Sequence, residues 1–213
     1  MSAVVKPKTT GVPFKPEMVR ALRAGRKTMT RRLVKPQPPE WIDEFGVFDS
    51  TPRGCVTGRG TCATRPRELH IKAPYGGVGD RIYVKEATYR DADGMARYVA
   101  DGAAVMCEWG PVPWAWKPST LASMFMPRWA ARDYRSIVGL RIERLNEISE
   151  ADAMAEGVKR LAARYVVPGS VPVAYAELTH RDFFRDLWES INGRGSWDYN
   201  ELVWVYSLSG TED

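Results

Sequence analysis

Histidine and cysteine are scarce in this chain, and their scarcity narrows the chemistry. The two histidines, His70 and His180, lie far apart, and neither belongs to a run with metal-ligand spacing. Three cysteines, Cys55, Cys62 and Cys107, are an odd set without a CxxC pair, which argues against a disulfide framework and against a zinc site. No metal and no cofactor is expected. Long apolar runs are missing too: nothing approaches the roughly 18 residues that a membrane helix needs. Met1 to Thr10 has no apolar signal core. A cytoplasmic protein without a membrane partner is the expectation. Acidic residues are absent between Glu17 and Glu40.

Into that acid-free interval the chain places Arg20, Arg23, Arg26, Lys27, Arg31, Arg32 and Lys35. The global excess is modest, a net charge of +5, so the clustering matters more than the total. Such a footprint suits an anion, nucleic acid being the commonest partner, though a solvated basic face has the same composition. The densest part is Gly25-Arg26-Lys27-Thr28-Met29-Thr30-Arg31-Arg32. It carries too much charge for a core strand, because burying unpaired charge is costly.

With 44% hydrophobic residues the chain can fill a core, and 213 residues suit one domain with inserted material better than two full domains. Pro16 and Gly25 bracket a short helix with Met18, Val19 and Leu22 inward. Thr28 to Val34 reads as extended, and Lys35-Pro36-Gln37-Pro38-Pro39 as a stiff linker. Residues 40–72 read as an excursion, with a hairpin around Trp41 to Val56. Gly76 to Asp80 is a turn that lacks the Gly-Lys-Ser/Thr ending of a phosphate loop. Arg81 to Thr88 alternates as a strand, and Ala96–Ala100 with Ala104–Glu108 forms a hairpin about Asp101-Gly102. Between Trp109 and Trp129 tryptophans are interspersed with prolines in a way that suits a lid or loop packed by aromatics. Tyr134 to Leu145 is a long strand. Ser149 caps a helix ending at Gly157, and Thr179 caps one with Phe183, Phe184, Leu187, Trp188 and Ile191 inward. Val203 to Tyr206, apolar on both sides, reads as a central strand. The pattern implies an α+β fold or a small barrel.

Several residues could carry chemistry. Glu156 precedes the glycine that ends its helix, where the dipole disfavours a carboxylate unless a cation such as Lys159, Arg160 or Lys27 compensates. Lys27 and Thr30 could act as amine and hydroxyl, but residues three apart in a strand face opposite ways, so they converge only if the chain turns. A phosphate-gripping loop explains Lys27 equally well. Glu86 could pair with an arginine of the basic loop, and a buried structural ion pair is the simpler role. Trp114, Trp116 and Trp129 could stack a base or fill a satellite core, with Arg128 beside them.

These blocks resemble ASCH-domain proteins of phages and prophages, which have a PUA-like fold. The resemblance rests on Met18 to Leu22 with Gly25 to Arg32, on Tyr75 to Glu86, on Met126 to Ala130, on Ile148 to Gly157 and on Trp188 to Asn192. It implies a small β-barrel with flanking helices and a cleft for RNA or a modified base. Similar small bacterial proteins are amidohydrolases that deacetylate N4-acetylcytidine with a lysine, a threonine and a glutamate. Carried over, these are Lys27, Thr30 and Glu156, and Arg26, Thr28, Arg31, Arg32, Glu86, Arg128 and Trp129 become substrate-binding candidates. The chain is about twice as long as those enzymes, with added material at about 36–74 and 109–133 within one domain. The expected activity is hydrolysis of an N4-acyl group on cytidine. The alternatives are a non-catalytic module that reads RNA or modified DNA, and a ribonuclease.

Overall fold

Pro16 sits in the first turn of a helix over Pro16–Arg23 (α1), and Gly25, at φ +69°, turns the chain out of it. Val19, Ala21 and Leu22 face inward, Met18 is half-buried beside them, and Arg20 and Arg23 are exposed. The computed structural model describes residues 6–48, 51–158 and 178–210. Its strands are β1 (Thr9–Pro13), β2 (Met29–Leu33), β3 (Ile42–Gly46), β4 (Cys55–Cys62), β5 (Arg65–Lys72), β6 (Arg81–Lys85) and β7 (Thr88–Arg90). There follow β8 (Ala96–Tyr98), β9 (Met106–Cys107), β10 (Gly110–Pro111), β11 (Thr120–Leu121) and β12 (Tyr134–Arg144). Helices α2 (Glu150–Ala155) and α3 (His180–Asn192) precede the last strand, β13 (Leu202–Leu208). The architecture is α+β, with strands in the majority.

The main sheet has the order β1-β6-β12-β13-β2, with β1 parallel to β6 and the other neighbours antiparallel. Strand β13 is buried on both faces. Leu202, Trp204, Tyr206 and Leu208 enter one apolar cluster, whereas Val203 and Val205 enter a second formed with Phe184 and Trp188 of α3. A strand with a core on each side has no reason to alternate polar and apolar residues, which is why its sequence is apolar throughout. The two edges of this sheet approach each other: Arg32 of β2 donates from Nη2 to the Pro13 carbonyl of β1 at 2.7 Å. No ladder joins β1 to β2 among the described residues, so the sheet is curled rather than closed by backbone pairing.

The excursion holds a three-stranded antiparallel sheet, β3-β4-β5, and not a single hairpin. Its β4–β5 turn uses Ala63 and Thr64, both at positive φ, and these residue types carry no turn signal of the Asn-Gly kind. A Cβ at Gly60 would stand 1.8 Å from the Trp41 carbonyl oxygen, so β3 can lie this close to β4 only over a glycine. The strand expected over Arg81 to Thr88 breaks at Glu86 and Ala87, and β7 restarts in another sheet beside β8 and β11. The proline-rich stretch is likewise less irregular than its composition implies. It supplies β10, β11 and two 3-10 turns, Ser123–Phe125 and Arg128–Ala130. Trp114 and Trp116 meet edge to face, 4.9 Å apart, and pack on a third cluster with Tyr98 and Met126, the satellite-core arrangement.

One buried ion pair fixes α1 to the main sheet. Arg135 of β12 bonds both oxygens of Asp133, at 2.7 and 3.0 Å, and donates to the Leu22 carbonyl at the end of α1 at 3.0 Å. Each side chain is 2% exposed. Arg135→Met leaves the buried Asp133 carboxylate without its cation and the Leu22 carbonyl with the Gly25 amide as its remaining donor, and should cost about 3–5 kcal/mol of stability in urea unfolding. A loss below about 1 kcal/mol would contradict this role.

Candidate functional site

After α1 the chain folds back on itself. The amides of Arg26 and Lys27 both donate to the Ala21 carbonyl, and the Thr28 amide donates to the Ala155 carbonyl of α2 at 2.8 Å. Lys27 and Glu156 form an isolated antiparallel bridge, so the loop after α1 and the end of α2 are joined through their backbones. Gly157 makes that contact possible. It lies at φ +81°, and a Cβ there would be 2.8 Å from the Lys27 Cβ and 2.9 Å from the Ala21 Cβ.

The side chains complete the junction. Lys27 Nζ lies 2.5 Å from Glu156 Oε2 and donates to the Glu156 carbonyl at 3.0 Å. Arg31, on β2, donates to Glu156 Oε1 at 3.2 Å, to Glu143 Oε1 at 2.6 Å and to Asp152 Oδ2 at 2.6 Å. Val205 of β13 is paired with Arg31 on one side and Arg141 on the other. That register sets the two guanidiniums side by side, and Arg141 reaches the same Glu143 and Asp152 at 2.8 and 2.5 Å. Three cations, Lys27, Arg31 and Arg141, thus meet three carboxylates, Glu143, Asp152 and Glu156. The cation compensating Glu156 at the negative end of α2 is therefore Lys27 together with Arg31. Lys159 and Arg160, considered for that role, lie outside the described residues.

Burial pushes the Lys27 ammonium below its ordinary pKa, against the attraction of Glu156, and Arg32 and Arg31 add repulsion in the same direction as burial. Burial would lower Arg31 too, but Glu156, Glu143 and Asp152 outweigh it and hold its pKa above the usual value.

Beside this junction lies a cavity of about 180 Å³ along the outer edge of β2, which among the described residues pairs with no strand but β13. Its position at an edge explains why residues from both faces of the strand line it: Thr30 and Arg32 from one, Arg31 and Leu33 from the other. Glu156, Phe14, Lys15 and the Phe184, Leu187 and Trp188 face of α3 also line it. Lys27 is fully buried behind Glu156 and is not part of it. A second, more apolar cavity of about 430 Å³ shares Glu156, Met18 and Leu187 with the first and is also bounded by Arg26, Gly157 and Phe183. Glu156 thus stands on the wall of both.

The remaining sequence candidates are dispersed. Arg32 stacks near Phe14 and Tyr75, at 5.2 and 6.0 Å, and faces the first cavity. Arg26 is exposed on the second. Thr28 is exposed, its backbone is used by Ala155 and Leu208, and it lies on neither wall. Glu86 pairs with Arg132, at 2.8 and 2.7 Å, and not with an arginine of the basic loop. That pair belongs to a separate cluster with Asp101 and Tyr98. Arg128 and Trp129 are exposed and off both walls, although Ser123 of the same inserted region lines the first cavity. Much of the basic stretch is engaged within the protein: Arg20 on the Ala100 carbonyl, Arg23 on Asp101, and Lys27, Arg31 and Arg32 as described. Sequence reasoning missed Glu143, Asp152 and Arg141. The opposite charges of Arg141-x-Glu143, two apart and so on one face of β12, were the signal for two of them.

Among the described residues no group of histidines, cysteines and acids is arranged to hold a metal ion, and no helix is long and apolar enough to cross a membrane. Comparison with protein-family models, with curated proteins and with solved structures found no match to this chain.

The junction is asymmetric, and stability measurements can read the asymmetry. Glu156→Leu strands a buried lysine and removes one acceptor of Arg31, and should cost about 3–5 kcal/mol in urea unfolding. Lys27→Met leaves Glu156 bonded to Arg31 and should cost clearly less. Equal losses for the two variants would contradict the arrangement.

Proposed function

We propose that the protein is an amidohydrolase that removes an N4-acyl group from a modified cytidine, as its resemblance to ASCH-domain proteins of PUA-like fold implies. The curled five-stranded sheet is read as that family's small barrel. The observation that carries the proposal is that Glu156 and Thr30 share one cavity wall, with Lys27 held against Glu156 from behind.

Several features of the cavity suit a nucleobase. The open edge of β2 offers backbone donors and acceptors to a hydrogen-bonding base edge. Phe14, Phe184 and Trp188 offer apolar surface. In the proposed reaction Glu156 takes a proton from water as the oxygen adds to the acyl carbon. The carbon–nitrogen bond then breaks, and the proton passes to the leaving N4 amine. Lys27 orients Glu156 and, with its lowered pKa, exchanges protons with it. Thr30 donates its hydroxyl to the acyl oxygen as negative charge develops there. The variant in which Thr30 attacks and Lys27 takes its proton is less favoured, because Lys27 Nζ is already held by Glu156 and lies off the wall.

The basic stretch also suits a binding module without chemistry, but most of its cations have partners inside the protein, which leaves less free charge than the sequence implies.

Purified protein should release acetate from N4-acetylcytidine. Thr30→Val should lower kcat about 10²- to 10³-fold, the usual cost of a lost oxyanion donor. Lys27→Arg keeps the charge but cannot give up its proton, and should lower turnover by at least about tenfold. Absence of turnover by the wild type across N4-acetyl, N4-propionyl and N4-benzoyl cytidine rejects the reading.

A further inference from the structure

The inserted region carries an exposed aromatic surface that the hydrolytic reading leaves without a role. Met124, Phe125 and Trp129 are 60%, 66% and 55% exposed, although they fall within six consecutive residues of a folded segment. Isolated exposed apolar residues need no explanation, but a contiguous group does.

This group is not slack chain. It sits on the two successive 3-10 turns Ser123–Phe125 and Arg128–Ala130. Between and beyond them the segment is fastened to the interior. Met126 is buried and its Sδ receives the Glu86 amide at 3.1 Å, and Ala130 is buried with its carbonyl accepting from the Tyr98 hydroxyl at 2.6 Å. Lys85 Nζ donates to the Met124 carbonyl. The aromatic residues are therefore held at exposed positions on a fastened double turn, with the Cα atoms of Phe125 and Trp129 at most about 14 Å apart.

Two further observations say what such a platform fits. No acid occurs from Trp109 to Arg132, whereas Lys117 and Arg128 are exposed, so the segment that carries the rings also carries exposed cations and no negative charge of its own. In addition the platform begins at Ser123, which lines the cavity on the β2 edge. We infer that Phe125, Trp129 and Arg128 form a stacking platform for single-stranded nucleic acid, leading to that cavity. Bases stack on the two rings irrespective of sequence, and Arg128 meets the phosphates between them. The strand-binding surface stands on its own observations. Its part in delivering a modified base to Glu156, which makes a polymer a substrate as well as the free nucleoside, rests on the function proposed above.

The test is fluorescence anisotropy with a labelled single-stranded oligoribonucleotide of about 12 nucleotides and a duplex of the same sequence. The wild type should bind the single strand in preference, with affinity falling as salt rises. Phe125→Ala and Trp129→Ala should each weaken binding about 5- to 150-fold with an unchanged thermal midpoint. Arg128→Ala should flatten the salt dependence. Turnover of free N4-acetylcytidine should be unaffected in all three variants. Absence of strand binding, wild-type affinity in both aromatic variants, or self-association of the wild type that either substitution abolishes would overturn the inference. Strand binding without acetate release would uphold the platform and reject the hydrolase. Acetate release from the nucleoside without strand binding would do the reverse.

Discussion

A lysine buried against a glutamate, Lys27 on Glu156, is the constraint from which the arrangement of this protein follows. Neither charge is tolerable alone in the interior. Holding them together requires that the loop after α1, the end of α2 and strand β2 converge on one point. The chain makes that convergence with backbone as well as side chains. Lys27 and Glu156 bridge through their main chains, and Gly157 removes the one Cβ that would keep the segments apart. Arg31 then extends the pair into a balanced network with Glu143, Asp152 and Arg141, spread over β2, β12 and α2. A network so widely distributed fixes the position of Glu156 with little freedom, which is what a group acting on a substrate needs.

The second constraint is that β13 is buried on both faces. A core on each side leaves the sheet's own edge as the place where a polar cavity can open without exposing either apolar cluster. Strand β2 occupies that edge, and its alternating residues divide the labour. Arg31 turns toward α2 and the ion network, whereas Thr30 and Arg32 turn toward the first cluster, across from Tyr206 and Trp204. Both sets reach the cavity because it runs along the strand's side rather than over one face.

Much of this was legible in the sequence where local chemistry decides the outcome. Pro16 and Gly25 bracket α1, Thr179 and Gly193 bracket α3, and the apolar run at Val203 to Tyr206 is an interior strand, each for the physical reason its residues suggest. The site was legible in part: the negative end of α2 called for a cation beside Glu156, and Lys27 was one of three candidates. Spacing alone set Lys27 and Thr30 on opposite faces and could not choose Lys27, 129 positions away, over Lys159 or Arg160. Long-range pairing also concealed the arginine partners. Arg23 and Arg132 turn to Asp101, and Glu86 turns to Arg132, so a stretch that reads as free positive charge is in large part bound internally. The three-stranded excursion was hidden for a different reason: Ala63 and Thr64 take a left-handed turn that neither residue announces.

The central claim is that the Lys27–Glu156 junction serves a substrate in the β2-edge cavity and is not scaffolding alone. The most direct measurement is a crystal structure with a non-hydrolysable N4-acylcytidine analogue, its acyl carbon replaced by a phosphonamidate or sulfonamide centre. The account predicts the base along the β2 edge, the tetrahedral oxygen within about 3.2 Å of Thr30 Oγ1, and Glu156 facing the position of attack. An analogue bound elsewhere on the protein, or a β2-edge cavity left empty at saturating concentration, would contradict it.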